Sequence, residues 1–192
     1  MLFIGNILVI SYLLKYTHFN LMTGFKENIK WYFNHAWLNG LIVLTTSKDS
    51  IQLLKCREDC HLVKPAGGVI YSWTGYNDIE LIMLSNVIML HCYHIFCFQN
   101  LRAIDYIHHI VMMITLTFAY LMNIGIYMSY FLFFTCGLPG LVDYSMLAIG
   151  YDRKEEKRIN TYLNNYLRAP GIMFGLGLLW KDAFQFSSLT IF

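Results

Sequence analysis

At 192 residues the chain is one domain long, and its net charge of +2 excludes the basic surface that nucleic-acid binding requires. Only 14% of the residues are charged and 57% are hydrophobic, whereas an average soluble domain is about 25% charged. Too few ions are present to cover a water-facing surface, so the composition points to a membrane protein whose partners are lipids.

Residues 1–14, MLFIGNILVISYLL, are uncharged and end at Lys15; they lack the basic start and small-residue cleavage site of a removable signal peptide. WYFNHAWLNGLIVLTTS (31–47) is a second apolar stretch, followed by a polar connector at 48–64 and a PAGG turn. IELIMLSNVIMLHCYHIFCF (79–98) is a third. Residues 110–142 carry no formal charge and are too long for one crossing, so they are split at Asn123–Gly125. GYDRKEEKRINTYLNNYLR (150–168) reads as a loop or interfacial helix, and APGIMFGLGLLW (169–180) as the last span. A crossing needs about 20 residues, and the pattern predicts one all-α domain over 1–192, a polytopic membrane bundle of about six transmembrane helices. Lys15, Lys26, Lys30, Arg102, Arg153, Lys154, Lys157, Arg158 and Arg168 outnumber the cations of the even connectors, which places the odd connectors in the cytoplasm.

Five cysteines, Cys56, Cys60, Cys92, Cys97 and Cys136, do not form a disulfide pattern. Cys56, Cys60 and His61 give an incomplete zinc spacing, read as ordinary loop residues. Pro139–Gly140 is expected to kink its span, while Gly171, Gly175 and Gly177 let helices approach closely and support a helix-mediated oligomer.

RAIDYIHHIVMMI (102–114) sets ionisable groups at the mouth of an apolar run. On a helix Asp105, His108 and His109 share one face. HCYH places His91 and His94 one turn apart on the preceding helix, and the short connector makes the two helices antiparallel neighbours with His94 opposite His108. One membrane histidine often does no more than hydrogen-bond between helices, worth about 0.6 kcal/mol. Four with an aspartate at matched depth are expected to face a cavity. An imidazole there can accept and return a proton, or accept an acyl group, while Asp105 fixes its tautomer.

DYIHHIVMMITLTFAYLMN resembles the central motif of the TLC-domain family, which includes ceramide synthases and translocon-associated proteins of the endoplasmic reticulum. Asp105, His108 and His109 match in order and spacing, and Asn123 falls near a family asparagine. NHAW (34–37) is similar to the family's histidine-bearing first helix. LVDYSML (141–147) resembles the tail of the synthase segment, with Asp143 near its acidic position, and Arg168 stands where a basic residue of the last helices does. Where the synthases carry a His-Asp pair, this chain reads CGLPG (136–140).

The resemblance covers about residues 30–185. It implies a helical bundle around a lipid-facing cavity in the endoplasmic reticulum or a related membrane, with acyl-CoA as co-substrate and no tightly bound cofactor.

Two functions stay open. In an acyltransferase, His108 or His109 is the base or acyl acceptor, Asp105 orients it, and His91, His94, Asn123, Asp143 and Arg168 bind or support the substrate. In a non-enzymatic TLC-like protein, the same cavity binds lipid or assists membrane-protein trafficking or insertion. A weaker alternative is a di-iron lipid hydroxylase or desaturase. Such centres draw on more histidines than the seven present, with His18 and His61 badly placed, so no metal is expected.

Overall fold

The computed structural model describes residues 27–55, 78–97, 101–121, 124 and 126–189. The apolar segment 1–14, His18, the Cys56–Cys60–His61 spacing, the PAGG turn and Asn123 lie outside the described residues.

The described elements are all helical: α1 (Glu27–Lys55), α2 (Asp78–Cys97), α3 (Ala103–Leu121), α4 (Ile126–Leu132), α5 (Leu138–Ala148), α6 (Arg153–Leu163) and α7 (Ala169–Leu189). Two π-helical turns, Phe133–Gly137 and Asn164–Arg168, join α4 to α5 and α6 to α7. α3 ends at Leu121 and α4 begins at Ile126, on either side of the point where the uncharged run was divided. By contrast, α1 continues through the polar stretch after residue 47, because its hydroxyls bond back along the helix. Thr46 donates to the Ile42 carbonyl at 2.6 Å and Ser50 to the Thr46 carbonyl at 2.8 Å. Both side chains are therefore buried without loss of hydrogen bonding.

Segment 150–168 is a helix rather than a loop. Gly150 ends α5 with a φ of 72°, and Tyr151 N–H closes the turn on the Met146 carbonyl at 2.9 Å. Asp152 then caps α6, its carboxylate accepting from the Lys154 and Glu155 amides at 3.1 Å each.

α1 is the central post. It runs antiparallel to α4–α5, with Ile42 beside Gly137, Asn39 beside Gly140 and His35 stacked on Tyr144. A Cβ on Gly140 would sit 2.5 Å from Asn39 Nδ2, so glycine is what permits this approach. The π turn lies immediately before Pro139; there Leu138 N–H reaches the Phe133 carbonyl, five residues back. A widened turn accommodates the missing donor and the ring of the proline.

α7 packs antiparallel on α4. Gly171 and Gly175 lie against Phe134 and Tyr130, and Tyr130 Oη donates to the Gly171 carbonyl at 2.9 Å. Gly177, also expected at a close approach, has nothing within 4 Å of where its Cβ would lie.

Among the described residues two helices are long and apolar enough to cross a bilayer, Ala103–Leu121 and the 23-residue rod Ile126–Ala148. Leu81–Phe96 is apolar but shorter. The finer expectation of six crossings is thus met by two among the described residues.

The face α3 turns outward explains its composition. Its buried residues are His109 and Leu116, while Ile107, Ile110, Ile114, Phe118 and Leu121 are exposed. A polar ring inside and aliphatic side chains outside is the reverse of a water-soluble helix.

Candidate functional site

α2 and α3 are antiparallel neighbours, and their contact is made by imidazoles. His94 Nδ1 lies 2.7 Å from His109 Nε2. The partner of His94 is therefore His109, one residue from the expected His108. Helix rotation accounts for the shift, because residue 109, not 108, is on the inner face of α3. His91 lies one turn deeper, with its ring centroid 5.0 Å from that of His109 and 5.8 Å from that of His108.

Several proton positions follow from the partners. A carbonyl can only accept, so His91 donates from Nδ1 to Val87 O at 2.7 Å and keeps the lone pair on Nε2. His35 does the same toward Trp31 O at 3.2 Å. His109 Nδ1 is buried with no hydrogen-bond partner. A proton there would have no acceptor, so the consistent assignment puts it on Nε2, donated to His94 Nδ1. Trp31 stacks on His94 with centroids 3.3 Å apart and seals that side of the cluster.

A cleft of about 370 Å³ opens beside these rings, lined by residues of α1, α2, α3, α5 and both π turns. His91 and His108 contribute imidazoles to its lining. Asp143, Tyr144, Arg168, His35 and Asn39 also line it. The cleft thus gathers His91, His108, Asp143 and Arg168 from the residues singled out in the sequence, while His109 touches His91 and His94 without lining it. Asp143 Oδ1 and Arg168 Nε are buried without hydrogen-bond partners, although Arg168 also bonds Asn164 through Nη1. Buried Glu156, paired with Arg153 at 3.3 Å, lies next to Asp143.

Asp105 is placed differently from the role expected of it. Its carboxylate accepts from Arg102 Nε at 3.0 Å, Nη2 at 2.9 Å and the Arg102 amide at 3.1 Å. It closes the first turn of α3 as the acidic half of a capping box and hydrogen-bonds neither His108 nor His109. Hydrogen bonding to that carboxylate raises the Arg102 guanidinium above its ordinary pKa.

His35, Tyr144, Trp31 and Asn39 belong to the site but were not singled out as site residues. The sequence signals touching them were NHAW, which contains His35, and LVDYSML, which contains Tyr144; how α1 packs against α5, not either segment's own periodicity, brings them together. Comparison with models of known protein families, with curated proteins and with solved structures gives no match.

Proposed function

We propose that the chain is an integral membrane protein whose histidine-lined cleft takes the polar end of a lipid and transfers an acyl group there. The observation that carries this reading is the cleft itself. It brings imidazoles together with an unsatisfied carboxylate oxygen and guanidinium nitrogen, beside a helix whose exposed face is largely apolar. α1, α2 and α7 complete a polytopic TLC-like bundle in the endoplasmic reticulum or a related membrane.

The reaction balances with the groups present. A lipid hydroxyl or amine attacks the thioester carbonyl of acyl-CoA, and its proton passes to the imidazole cluster through His108. The carbon–sulfur bond breaks, and the thiolate leaves with the proton returned by the imidazolium. Arg168 supplies a cation for a phosphate or carboxylate of either substrate. Asp105, engaged by Arg102, steadies the start of α3 rather than the imidazolium.

That engagement also favours a second reading. Without a carboxylate on His108 or His109, the cleft serves as a lipid-binding site with no turnover.

The test begins with membranes. The protein should resist alkaline carbonate extraction, and the detergent-purified chain should carry about one lipid, identified by mass spectrometry. Release into the soluble fraction would overturn both readings. Bound lipid without acyl transfer from any acyl-CoA would leave the second.

A further inference from the structure

The lone pairs of the cluster point to a ligand other than a lipid. One ring nitrogen from each of His91, His108 and His109 lies within 4.8 Å of the other two. On His91 the nitrogen not already bonded is Nε2, and on His109 it is Nδ1. Both carry lone pairs by the proton assignments above. A cluster built only for packing would pair these atoms with donors, yet His109 Nδ1 is buried and unpartnered, in a residue 3% exposed. Leaving such an atom unsatisfied is costly, so a partner for it is expected.

We propose that His91, His108 and His109 hold a divalent transition-metal ion of the zinc class, with a fourth position open to the cleft. Three neutral imidazoles plus an exchangeable fourth ligand is a donor set that such ions accept in tetrahedral geometry.

The surroundings have the form that metal-binding histidines require. Ligating imidazoles donate their second N–H to a fixed acceptor, which sets the tautomer. His91 does so to the Val87 carbonyl and His109 to His94. Metal–nitrogen bonds of about 2.0–2.1 Å imply ligand atoms about 3.3 Å apart, so the three rings must draw together by a small amount. His108 can supply that movement, because it is exposed and makes only ring contacts in the structure.

The shortage of histidines weighed against a di-iron centre. A mononuclear ion needs three protein ligands, and three converge.

Three neutral ligands leave the ion's charge uncompensated, so the open position favours an oxygen anion. This rests on the proposed function for what enters the cleft. A lipid hydroxyl or a water bound there would lose its proton more readily than in solution. That gives the acyl acceptor a route to activation that replaces proton uptake by the His108 imidazole whenever the ion is bound.

The test uses the full chain, purified in detergent through a tag without histidines. It is stripped with EDTA and titrated with Co²⁺, whose tetrahedral complexes absorb in the visible, and then with Zn²⁺ in competition. About one Co²⁺ per chain with tetrahedral bands, displaced by Zn²⁺, is the expected result. His108→Ala, at an exposed position, should abolish the bands while the chain remains monodisperse. His94→Asn should weaken binding by about 10–100-fold, as loss of an orienting partner does. Lys157→Gln, at an exposed residue of α6 that does not line the cleft, should leave binding unchanged.

Absence of tetrahedral bands in the folded wild-type chain, or equal affinity in His108→Ala, would overturn the site. Lipid retention measured on the same sample keeps the two proposals apart. A chain that holds lipid but no metal refutes this inference alone, and one that holds metal but no lipid refutes the lipid reading alone.

Discussion

Alanine at His108 is expected to lower acyl-transfer turnover by about 10²–10⁴-fold, the usual cost of losing a general base, while the protein still folds and still retains lipid. His108 lines the cleft, is exposed, and takes part in no hydrogen bond given by the structure. Removing it therefore opens no buried cavity. The prediction holds whether the ring accepts the proton itself or helps hold an ion that makes the bound hydroxyl more acidic.

His109→Ala behaves differently, because it removes a buried ring and leaves His94 without its partner at 2.7 Å. That loss should cost about 1–3 kcal/mol of stability in addition to activity. Turnover and thermal unfolding, measured together on both variants, separate the roles. If His108→Ala retains full turnover, the ring takes no part in the chemistry. If it unfolds the chain, the ring is structural.

Leucine at Gly171 should be the most destabilising of the glycine changes, by about 2–4 kcal/mol from overpacking and a lost hydrogen bond. Its Cβ would overlap the Phe134 ring, and the backward shift of α7 would break the 2.9 Å bond from Tyr130 Oη to the Gly171 carbonyl. Phe134 and Tyr130 belong to one buried cluster with Leu53 and Tyr127, so there is no slack to absorb the branch. Gly177→Leu is the internal control. Open space surrounds its position, and its melting temperature in detergent should stay within error of wild type. Equal melting temperatures for the two variants would refute the packing of α7 on α4.

The contrast between these glycines shows how far the sequence could be read. Spacing on one helix marks Gly171, Gly175 and Gly177 alike, but only the partner helix decides which of them is covered. The same limit applies in the site. The short connector made α2 and α3 neighbours and periodicity brought four histidines to their contact, although His91 lies one turn deeper than His94. It could not resolve the rotation that gives His94 to His109 rather than His108, since neighbouring residues on a helix differ by about 100°.

Asp105 was legible as an acid one turn before a histidine. Its competitor, Arg102, is three residues away just as His108 is, but it stands at the helix start, where a carboxylate is favoured. Local geometry won. His35 and Tyr144 were the least legible, because they meet only when α1 packs along α5, a pairing of distant segments that no local pattern encodes. The length of α1 was underestimated for a related reason: polar residues signal a connector unless their hydroxyls can satisfy themselves on the helix.

The central claim is that the cleft beside the histidines receives the polar end of a lipid. A photoreactive lipid carrying a diazirine next to its head group tests it most directly, with labelled residues mapped by peptide mass spectrometry after irradiation in vesicles. Labelling concentrated on Leu90, Met112 and Cys136, which line the cleft, and suppressed by excess unlabelled lipid, is the predicted result. Labelling confined to outward residues of α3 such as Ile114 and Phe118, and indifferent to competitor, would contradict it.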